Sequence, residues 1–416
     1  MRPVAVTPTG LPSARSGDAQ DRLAYLSNVA ARLWPGSTTA VRRTRTGAPS
    51  RDFLLLRNAA TPRLLIPTGS RRAAAAAVRG YGEQSTRRDR ATTRLLSAAL
   101  RTGAAQYLVR DRVAVTGGTA GLPGHLAGLL GSEVLISLHL GPPRANRKPV
   151  LQLLAPDGRQ LGFAKVGLDE LTRRLVATEA AALRRLASAG LHGLVIPRAV
   201  HSGQWNDLEL LIQSPLPIQG RRTRLEGGAL DAAMSAVADV GQVGPIRVVD
   251  SDFWSALCAR VARLPDDPAA ARLAAIVADL YGVASEDALR MGSWHGDWTP
   301  WNMAALPAGL AVWDWERFAT GVPIGFDPLH FALQSELIVS RRDPADAVVS
   351  LVDGAPARLR CLDVDHRAAT VTALCYLTEI ATRYTEDGQA DAGARLGRVV
   401  DWLLPVLSAR VEGLTR

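Results

Sequence analysis

Three polar side chains with fixed spacing occur in one short segment, and they constrain the fold of this chain more than any other feature. The segment from Ser293 to Phe331 reads SWHGDWTPWNMAALPAGLAVWDWERFATGVPIGFDPLHF. Asp297 follows His-Gly, Asn302 comes five positions later, and Asp314 lies in the apolar run VWDWE, which predicts a strand. A short loop would fix the first two side chains relative to each other. A following hairpin would return the chain so that the third lies beside them.

The residue types in this segment suit the transfer of a phosphoryl group. One carboxylate would lie beside the attacking hydroxyl, while an amide oxygen and a second carboxylate would hold the Mg²⁺ that bridges the phosphates. Protein kinases use the same spacing of Asp, Asn and Asp. Asparagine is rare in this chain, with only five among 416 residues, and one of them stands at this position.

The pattern HGDxxPxN followed by VxDWE resembles the aminoglycoside phosphotransferase/choline kinase-like family, the small-molecule branch of the protein-kinase-like fold. The downstream GVPIGFD is similar to that family's G-x-P…D segment, with one extra residue and with Val322 where Asp is common. The resemblance implies Asp297 as the catalytic residue and Asn302 and Asp314 as Mg²⁺ ligands. It implies ATP as the phosphoryl donor, although the sequence does not distinguish ATP from GTP, and a hydroxyl of a small molecule as the acceptor.

The same resemblance predicts a nucleotide site upstream of this segment. Lys165 in the strand LGFAKV is one of only two lysines in a chain that otherwise uses arginine, and it would contact the phosphates. Glu179, 14 residues later in a predicted helix, would pair with it. The hinge that reads the adenine edge is expected over Gln213, Ser214 and Leu216, because Pro215 has no N–H to donate.

The loop expected to cover the phosphates is the segment GPPRANRK, which starts at Gly141 and has no GxGxxG pattern. Arg144, Arg147 and Lys148 either contact phosphate or are exposed charges of a hairpin, and the second interpretation is favoured. Near the catalytic loop, Trp298 and Trp301 either stack on an acceptor or pack the loop, and packing is favoured. His295, Asp327 and His330 are expected to hold the loop in place.

A strand-rich block followed by a helix-rich block predicts an α+β, two-lobed protein-kinase-like fold, with a β-rich N-lobe and a helical C-lobe. An additional N-terminal α+β domain is expected before it. The predicted divisions are a mobile N-terminus at 1–20, an accessory or cap-like domain at 21–130, an N-lobe with hinge at 131–217, and a C-lobe at 218–416. The strand–turn–strand–helix order of the accessory domain repeats that of the N-lobe.

The positive charge of the chain is concentrated at its N-terminal end. Residues 1–130 contain 20 Arg against 6 acidic residues, whereas the remainder has a net charge of −4. Such a surface suits nucleic acid, an anionic membrane or an acidic partner. Because no nucleic-acid-binding motif and few aromatic residues accompany the charge, specific nucleic-acid binding is not expected.

Other features favour a cytoplasmic enzyme. The three cysteines lie far apart and predict no disulfide framework or zinc site. The longest uncharged stretch is interrupted by glycines, and no transmembrane segment or secretory signal is expected. Two alternatives stay open: a non-catalytic kinase-like regulator whose basic N-terminal domain recruits a partner, and a protein kinase. The first is disfavoured because the complete residue set is present, and the second because no peptide-substrate segment follows.

Overall fold

The computed structural model describes residues 14–42, 51–56, 63–79, 87–118, 121–141, 144–218, 228–389 and 398–414. The chain divides into two compact units. The first comprises residues 1–143 and 149–164, and the second comprises residues 144–148 and 165–416. The N-terminus that was predicted to be mobile lies outside the described residues as far as residue 13, and a helix begins at Ala14.

The first unit is an antiparallel sheet accompanied by helices. Its helices are α1 (Ala14–Leu33), α2 (Arg71–Arg79), α3 (Arg87–Thr102), α4 (Ala105–Leu108) and α5 (Gly121–Leu130). Its strands are β1 (Ser37–Arg42), β2 (Arg51–Leu56), β3 (Leu64–Pro67), β4 (Arg112–Gly117), β5 (Leu135–His139), β6 (Val150–Leu154) and the first part of β7 (Gln160–Gly167). The strand order is β1-β4-β2-β3-β5-β6-β7. Each neighbouring pair from β1 to β6 is antiparallel.

Helix α2 forms the core of this unit because its sequence, RRAAAAAVR, places small side chains where the helix meets the sheet. Residues 73–78 of α2 are all buried. They pack with Leu54 and Ile66 from the sheet and with Leu100 from α3. Alanine costs no side-chain entropy on burial and lets a helix approach a sheet closely. An alanine-rich segment therefore serves here as an apolar core element.

The first unit extends beyond the division predicted at residues 130 and 131. Strand β5 pairs with β3, with Leu64 opposite His139 and Leu65 opposite Leu138. Strands β5 and β6 and the first part of β7 therefore continue the sheet that the N-terminal residues begin. The glycine-rich stretch near Gly131 reads as a linker in the sequence, but here it connects α5 to the next strand of the same unit. An accessory role for residues 21–130 remains a proposal.

The second unit contains the predicted functional residues. Its strands are the end of β7, β8 (Leu194–Val195), β9 (Ala199–Trp205), β10 (Leu208–Gln213), β11 (Val243–Arg247), β12 (Ala288–Trp294), β13 (Met303–Leu306), β14 (Gly309–Val312) and β15 (Ala319–Pro323). Its helices are α6 (Glu170–Ser188), α7 (Ala229–Ala238), α8 (Asp252–Val261), α9 (Pro268–Ala284), α10 (Phe326–Gln334), α11 (Pro344–Arg358), α12 (His366–Glu386), α13 (Val399–Trp402) and α14 (Leu404–Leu414).

Helix α6 is held firmly at its start and along one face. Asp169 caps it, accepting a hydrogen bond from the Thr172 backbone, while the Thr172 side chain accepts one from the backbone N–H of Asp169. This reciprocal arrangement satisfies backbone donors that would otherwise have no partner at the helix start. The apolar face includes Val176 and Leu183 and packs into a cluster that contains Trp315. The helix is thereby fixed against the β13–β14 hairpin.

The rest of the second unit is mainly helical. A core cluster joins α8 to α12 and α14, and α12 contributes buried side chains over most of its length. The sequence predicts helices over 251–263, 268–281 and 366–385, and the structure has α8, α9 and α12 close to those bounds. The α+β class predicted from the sequence is confirmed. Among the helices that the structure describes, none is sufficiently long and apolar to cross a bilayer. All three cysteines are free.

Candidate active site

The loop between β12 and β13 carries the predicted catalytic segment and is fixed by buried polar groups. Asp327, at the start of α10, accepts hydrogen bonds from the backbone N–H of His295 (2.7 Å) and of Gly296 (3.3 Å). Arg383 of α12 donates to the carbonyl of Gly296 at 2.6 Å. The loop therefore has little freedom, as expected of a platform that positions reacting groups.

Gly296 allows the loop to turn closely against the next segment. Its φ is +82°, a left-handed conformation that is costly for residues with a Cβ. A Cβ at this position would lie 2.2 Å from the carbonyl oxygen of Arg317. The glycine of His-Gly-Asp is therefore required by both backbone conformation and space.

His295 is a neutral structural residue. The backbone N–H of Asp297 donates to Nδ1 at 3.1 Å, so Nδ1 carries no proton and Nε2–H donates to the carbonyl of Trp313 at 3.0 Å. The ring is buried against Trp315, with centroids 4.4 Å apart. Burial lowers the pKa of His295 to about 4. The ring thus connects the loop to the hairpin, as its position in the sequence predicted.

A pH-dependent stability should follow from His295. Between pH 6.5 and about 4 the unfolded chain binds a proton at His295 that the folded protein excludes. Stability should therefore fall as the pH falls through this window, by up to about 3 kcal/mol. Burial raises the pKa of Asp327 to about 7, and its contribution has the opposite sign. The measurement is urea unfolding of wild type and His295→Asn from pH 4 to 7, and the difference between the two profiles isolates His295. Parallel profiles would contradict the assignment.

Asp297 is an oriented carboxylate. His330 Nε2 lies 3.3 Å from Oδ1, and the Asn302 amide donates to Oδ2 at 3.0 Å. Tyr376 OH lies 3.0 Å from Nδ1 of His330, which leaves Nε2 as the donor toward Asp297. Burial alone would raise the pKa of Asp297, but its hydrogen bond to His330 lowers the pKa below its usual value. The side chain remains 38% exposed, so a ligand can reach it.

Asn302 turns its amide oxygen away from Asp297. Its Nδ2 donates both to the backbone carbonyl and to Oδ2 of Asp297, at 3.0 Å in each case. Two acceptors on one side fix the amide orientation, so Oδ1 faces the other way. In the described part of the chain, no hydrogen bond reaches this Oδ1. The Asn302 carbonyl accepts from the N–H of Trp313 at 3.1 Å, which places Asn302 beside the residue that precedes Asp314.

Lys165 contacts two of the predicted partners at once. Its Nζ lies 2.6 Å from each carboxylate oxygen of Glu179 and also contacts Oδ1 of Asp314. Burial alone would lower the pKa of Lys165, but Asp314 and Glu179 together raise it. For Asp314, burial opposes ionisation, and the two lysines nearby hold its pKa well below the usual range. Lys165 and Asp314 are therefore both charged at neutral pH.

The run VWDWE predicted that Asp314 lies in a strand, but the structure places Asp314 just beyond the end of one. Strand β14 ends at Val312, and Asp314 has φ +75° and ψ +52°, just before a 3₁₀ turn at Trp315–Arg317. This left-handed conformation is uncommon for residues other than glycine, asparagine and aspartate. Strain of this kind concentrates at functional sites. The turn directs the carboxylate toward Lys165 while Trp315 stays in the core.

The predicted hinge residues make contacts with other parts of the protein. The Gln213 side chain donates to Glu179 at 2.6 Å, so it supports the ion pair through its amide group. The backbone N–H of Ser214 donates to the carbonyl of Arg198 at 2.9 Å, which occupies one of the candidate donors for the adenine edge. Leu216 packs against a small apolar cluster that includes Leu306 and Ala311. Recognition of adenine by this segment stays a prediction.

The sequence analysis did not predict the burial of Lys148. It was expected to be an exposed hairpin charge, but its side chain is only 7% exposed and forms an ion pair with Glu316. Asn146 also donates to Glu316, at 3.1 Å. Carboxylate oxygens of Glu179, Asp314 and Glu316 lie within 4.8 Å of one another.

Arg144, in contrast, is exposed. Trp298 is fully buried in the core, as the packing interpretation predicted.

Comparison with known proteins finds neighbours among solved structures. No protein-family model and no curated protein matches the chain. One structural neighbour is a thermostable aminoglycoside phosphotransferase APH(4)-Ia in a ternary complex with ADP and hygromycin B. It is 16% identical, with a TM-score of 0.43, over 71% of this chain and 98% of the neighbour.

Two further neighbours carry related names. The amicoumacin kinase hAmiN, in complex with AMP-PNP, Ca²⁺ and Ami, is 12% identical, with a TM-score of 0.40, over 65% of this chain and 86% of the neighbour. A choline/ethanolamine kinase family protein from Mesorhizobium loti is 13% identical, with a TM-score of 0.38, over 66% and 88%. These TM-scores and identities are too low to support a conclusion about function. A proposal about function therefore depends on the side chains of the site.

Proposed function

We propose that this protein is a metal-dependent phosphotransferase that moves the γ-phosphoryl group of ATP to a hydroxyl of a small molecule. The observation that carries the proposal is the buried Lys165 ammonium in contact with both Glu179 and Asp314. These partners are 14 and 149 positions away along the chain. A lysine held in this way is already oriented for the phosphates of a nucleotide, so little ordering is needed when the nucleotide binds.

The donor set near Asp314 fits a hard divalent cation such as Mg²⁺. Asn302 Oδ1 and Asp314 Oδ2 accept no hydrogen bond from the residues that the structure describes, and both are oxygens of the kind that Mg²⁺ prefers. The Asp314 side chain is 35% exposed, which leaves it accessible to a ligand. A bound cation would neutralise charge on the phosphates. Asn302 and Asp314 are the residues that would hold it.

Asp297 would orient the acceptor hydroxyl rather than remove its proton early. Its lowered pKa makes it a weak base, while hydrogen bonds to His330 and Asn302 fix its direction. In phosphoryl transfer the bond to the leaving group breaks before much proton transfer is needed, so positioning contributes more than basicity. Lys165 would bind the nucleotide phosphates, with Glu179 and Gln213 holding its position.

The test of this function is an assay of ADP formation with Mg²⁺ and ATP over four acceptor classes. These classes are neutral sugars, amino sugars, aminoglycosides and amino alcohols. We expect ADP release that depends on one class of acceptor. ATP binding without ADP release in any class would favour the non-catalytic regulatory alternative, and absence of nucleotide binding would contradict both.

The metal role of Asp314 can be tested with Asp314→Asn. Asparagine tolerates the left-handed backbone at this position better than alanine, so the fold should be retained while the charged ligand is lost. We expect Mg²⁺ to stop enhancing nucleotide affinity in this variant. The measurement is calorimetric titration of nucleotide with and without Mg²⁺, with Asp353→Asn, an exposed aspartate in α11, as the matched control. Unchanged enhancement by Mg²⁺ would make Asp314 a structural carboxylate only.

A further inference from the structure

The two lysines of this chain lie in the same site. Of the 49 basic residues, 47 are arginine and only Lys148 and Lys165 are lysine. Both lysine side chains are buried, and they lie beside the carboxylates of Glu179, Asp314 and Glu316. The role of Lys165 follows from its pairing with Glu179. Lys148 has no role in the function proposed above, although its side chain is as deeply buried as that of Lys165.

Lys148 and its neighbours hold both oxygens of one carboxylate. Lys148 Nζ contacts Oε2 of Glu316, and Asn146 Nδ2 donates to Oε1 at 3.1 Å. Both contacts come from residues 144–148, which lie between β5 and β6 along the chain. Glu316 is only two residues beyond Asp314 and is 4% exposed. The buried Glu316 carboxylate therefore attaches this segment to the site.

The ion pair with Glu316 does not fully compensate the burial of Lys148. The pKa of Lys148 is lowered to about 8, chiefly by burial and also by the nearby Lys165, while Asp314 and Glu179 oppose the shift. An ammonium in this position would gain more from a ligand that carries several negative charges. A compact ammonium on a flexible stem can also change partners more readily than a planar guanidinium fixed by two hydrogen bonds.

We propose that Lys148 is a second cation for the phosphate chain of the nucleotide, and that Glu316 is its alternative partner when no nucleotide is bound. This inference rests on the proposed function, since it assigns a further residue of the same nucleotide site. On binding, the Lys148 ammonium exchanges the Glu316 carboxylate for phosphate oxygens, and no covalent bond changes. Glu316 thus competes with the nucleotide for Lys148.

The competition predicts opposite effects from the two members of the ion pair. Lys148→Met should weaken Mg²⁺-dependent binding of AMP-PNP about 10- to 100-fold, because one charged hydrogen bond to phosphate is lost. Glu316→Gln should tighten it about 3- to 10-fold, because more of the protein then has Lys148 available. Lys148→Arg, which keeps the charge, should recover part of the lost affinity. The measurement is calorimetry, with adenosine, which has no phosphate, as the control ligand.

A second measurement uses the wild-type protein and does not depend on any variant folding. With only two lysines present, acetylation by acetic anhydride can be followed at each by mass spectrometry. AMP-PNP at about ten times its Kd should slow acetylation of Lys148 about 10-fold, in proportion to occupancy.

The outcomes separate this inference from the proposed function. Weaker binding in Lys148→Met with tighter binding in Glu316→Gln supports it. Weaker binding in both variants, an equal loss of adenosine affinity, or acetylation of Lys148 unaffected by bound AMP-PNP would overturn it and leave the proposed function in place. Wild-type protein that binds no AMP-PNP would contradict the proposed function, and the inference with it.

Discussion

Replacing Asp297 with asparagine is expected to lower kcat by about 10²- to 10⁴-fold, because the charged group that orients the acceptor hydroxyl is lost. The change removes one negative charge but keeps the shape, and the new side-chain oxygen can still accept the hydrogen bond from Asn302. Nucleotide affinity should stay nearly unchanged, because Asp297 would contact the acceptor and not the nucleotide. Steady-state kinetics with the acceptor found in the ADP assay gives kcat, and calorimetry gives the nucleotide affinity.

The control for this variant is a comparison of its unfolding temperature with that of wild type. Asp297 lies on a loop held by Asp327 and Arg383, so the unfolding temperature should be close to that of wild type. A folded Asp297→Asn protein with near-normal kcat would remove Asp297 from the reaction. A large loss of nucleotide affinity would instead place Asp297 in the nucleotide site.

Lys165→Met should impair both activity and stability. Turnover should fall by about 10²- to 10³-fold, since one preorganised charged donor to the phosphates is lost. Among the described residues, the same change leaves the fully buried Glu179 with the Gln213 amide as its only hydrogen-bond partner. An unpaired buried charge costs about 3–5 kcal/mol, so urea unfolding should show a clear loss of stability.

The double variant Lys165→Met/Glu179→Gln separates these two effects. A neutral glutamine no longer needs a cation, so we expect most of the stability to return while activity stays low. Arg398→Met is a suitable control, because Arg398 pairs with Asp401 at the surface and such pairs contribute at most about 1 kcal/mol. Recovery of turnover together with stability would mean that Lys165 acts only on the fold.

The sequence predicted the parts of the site that lie close together along the chain. The spacing from Asp297 to Asn302 fixes a short loop, and the distance from Lys165 to Glu179 spans a strand end and the first turns of a helix. Both pairs are separated by few residues, so local geometry determines whether they can meet. The structure brings the members of each pair into the same site.

The pairing of Lys148 with Glu316 could not be predicted in this way. These residues are 168 positions apart, and no local pattern links a turn-rich loop to a buried glutamate. One signal was available: the rarity of lysine applies to Lys148 as much as to Lys165. The left-handed backbone conformation of Asp314 was not predicted for another reason. Its apolar neighbours predict a strand, whereas the left-handed turn depends on packing of Trp315 in the core.

The limits of the first compact unit differ from the division predicted at residues 130 and 131, because they depend on which strands pair. Glycines near residue 131 are typical of a linker, and periodicity cannot show that β3 selects β5 as its neighbour. In the second unit, helices α8, α9 and α12 were found close to their predicted bounds. Their caps and apolar faces are local, so the sequence contains enough information to place them.

The strand order of the first unit imposes a delay during protein synthesis. Strand β1 pairs with β4, so Arg42 meets Arg112 and Ser37 meets Gly117 only after 70 to 80 further residues have been made. At about 5–20 residues per second, that interval lasts roughly 4–16 s. During this time β1 has no partner on the edge where β4 will bind, and it emerges while the nascent chain is strongly cationic. Repulsion among arginines would then keep neighbouring nascent chains apart until β4 arrives.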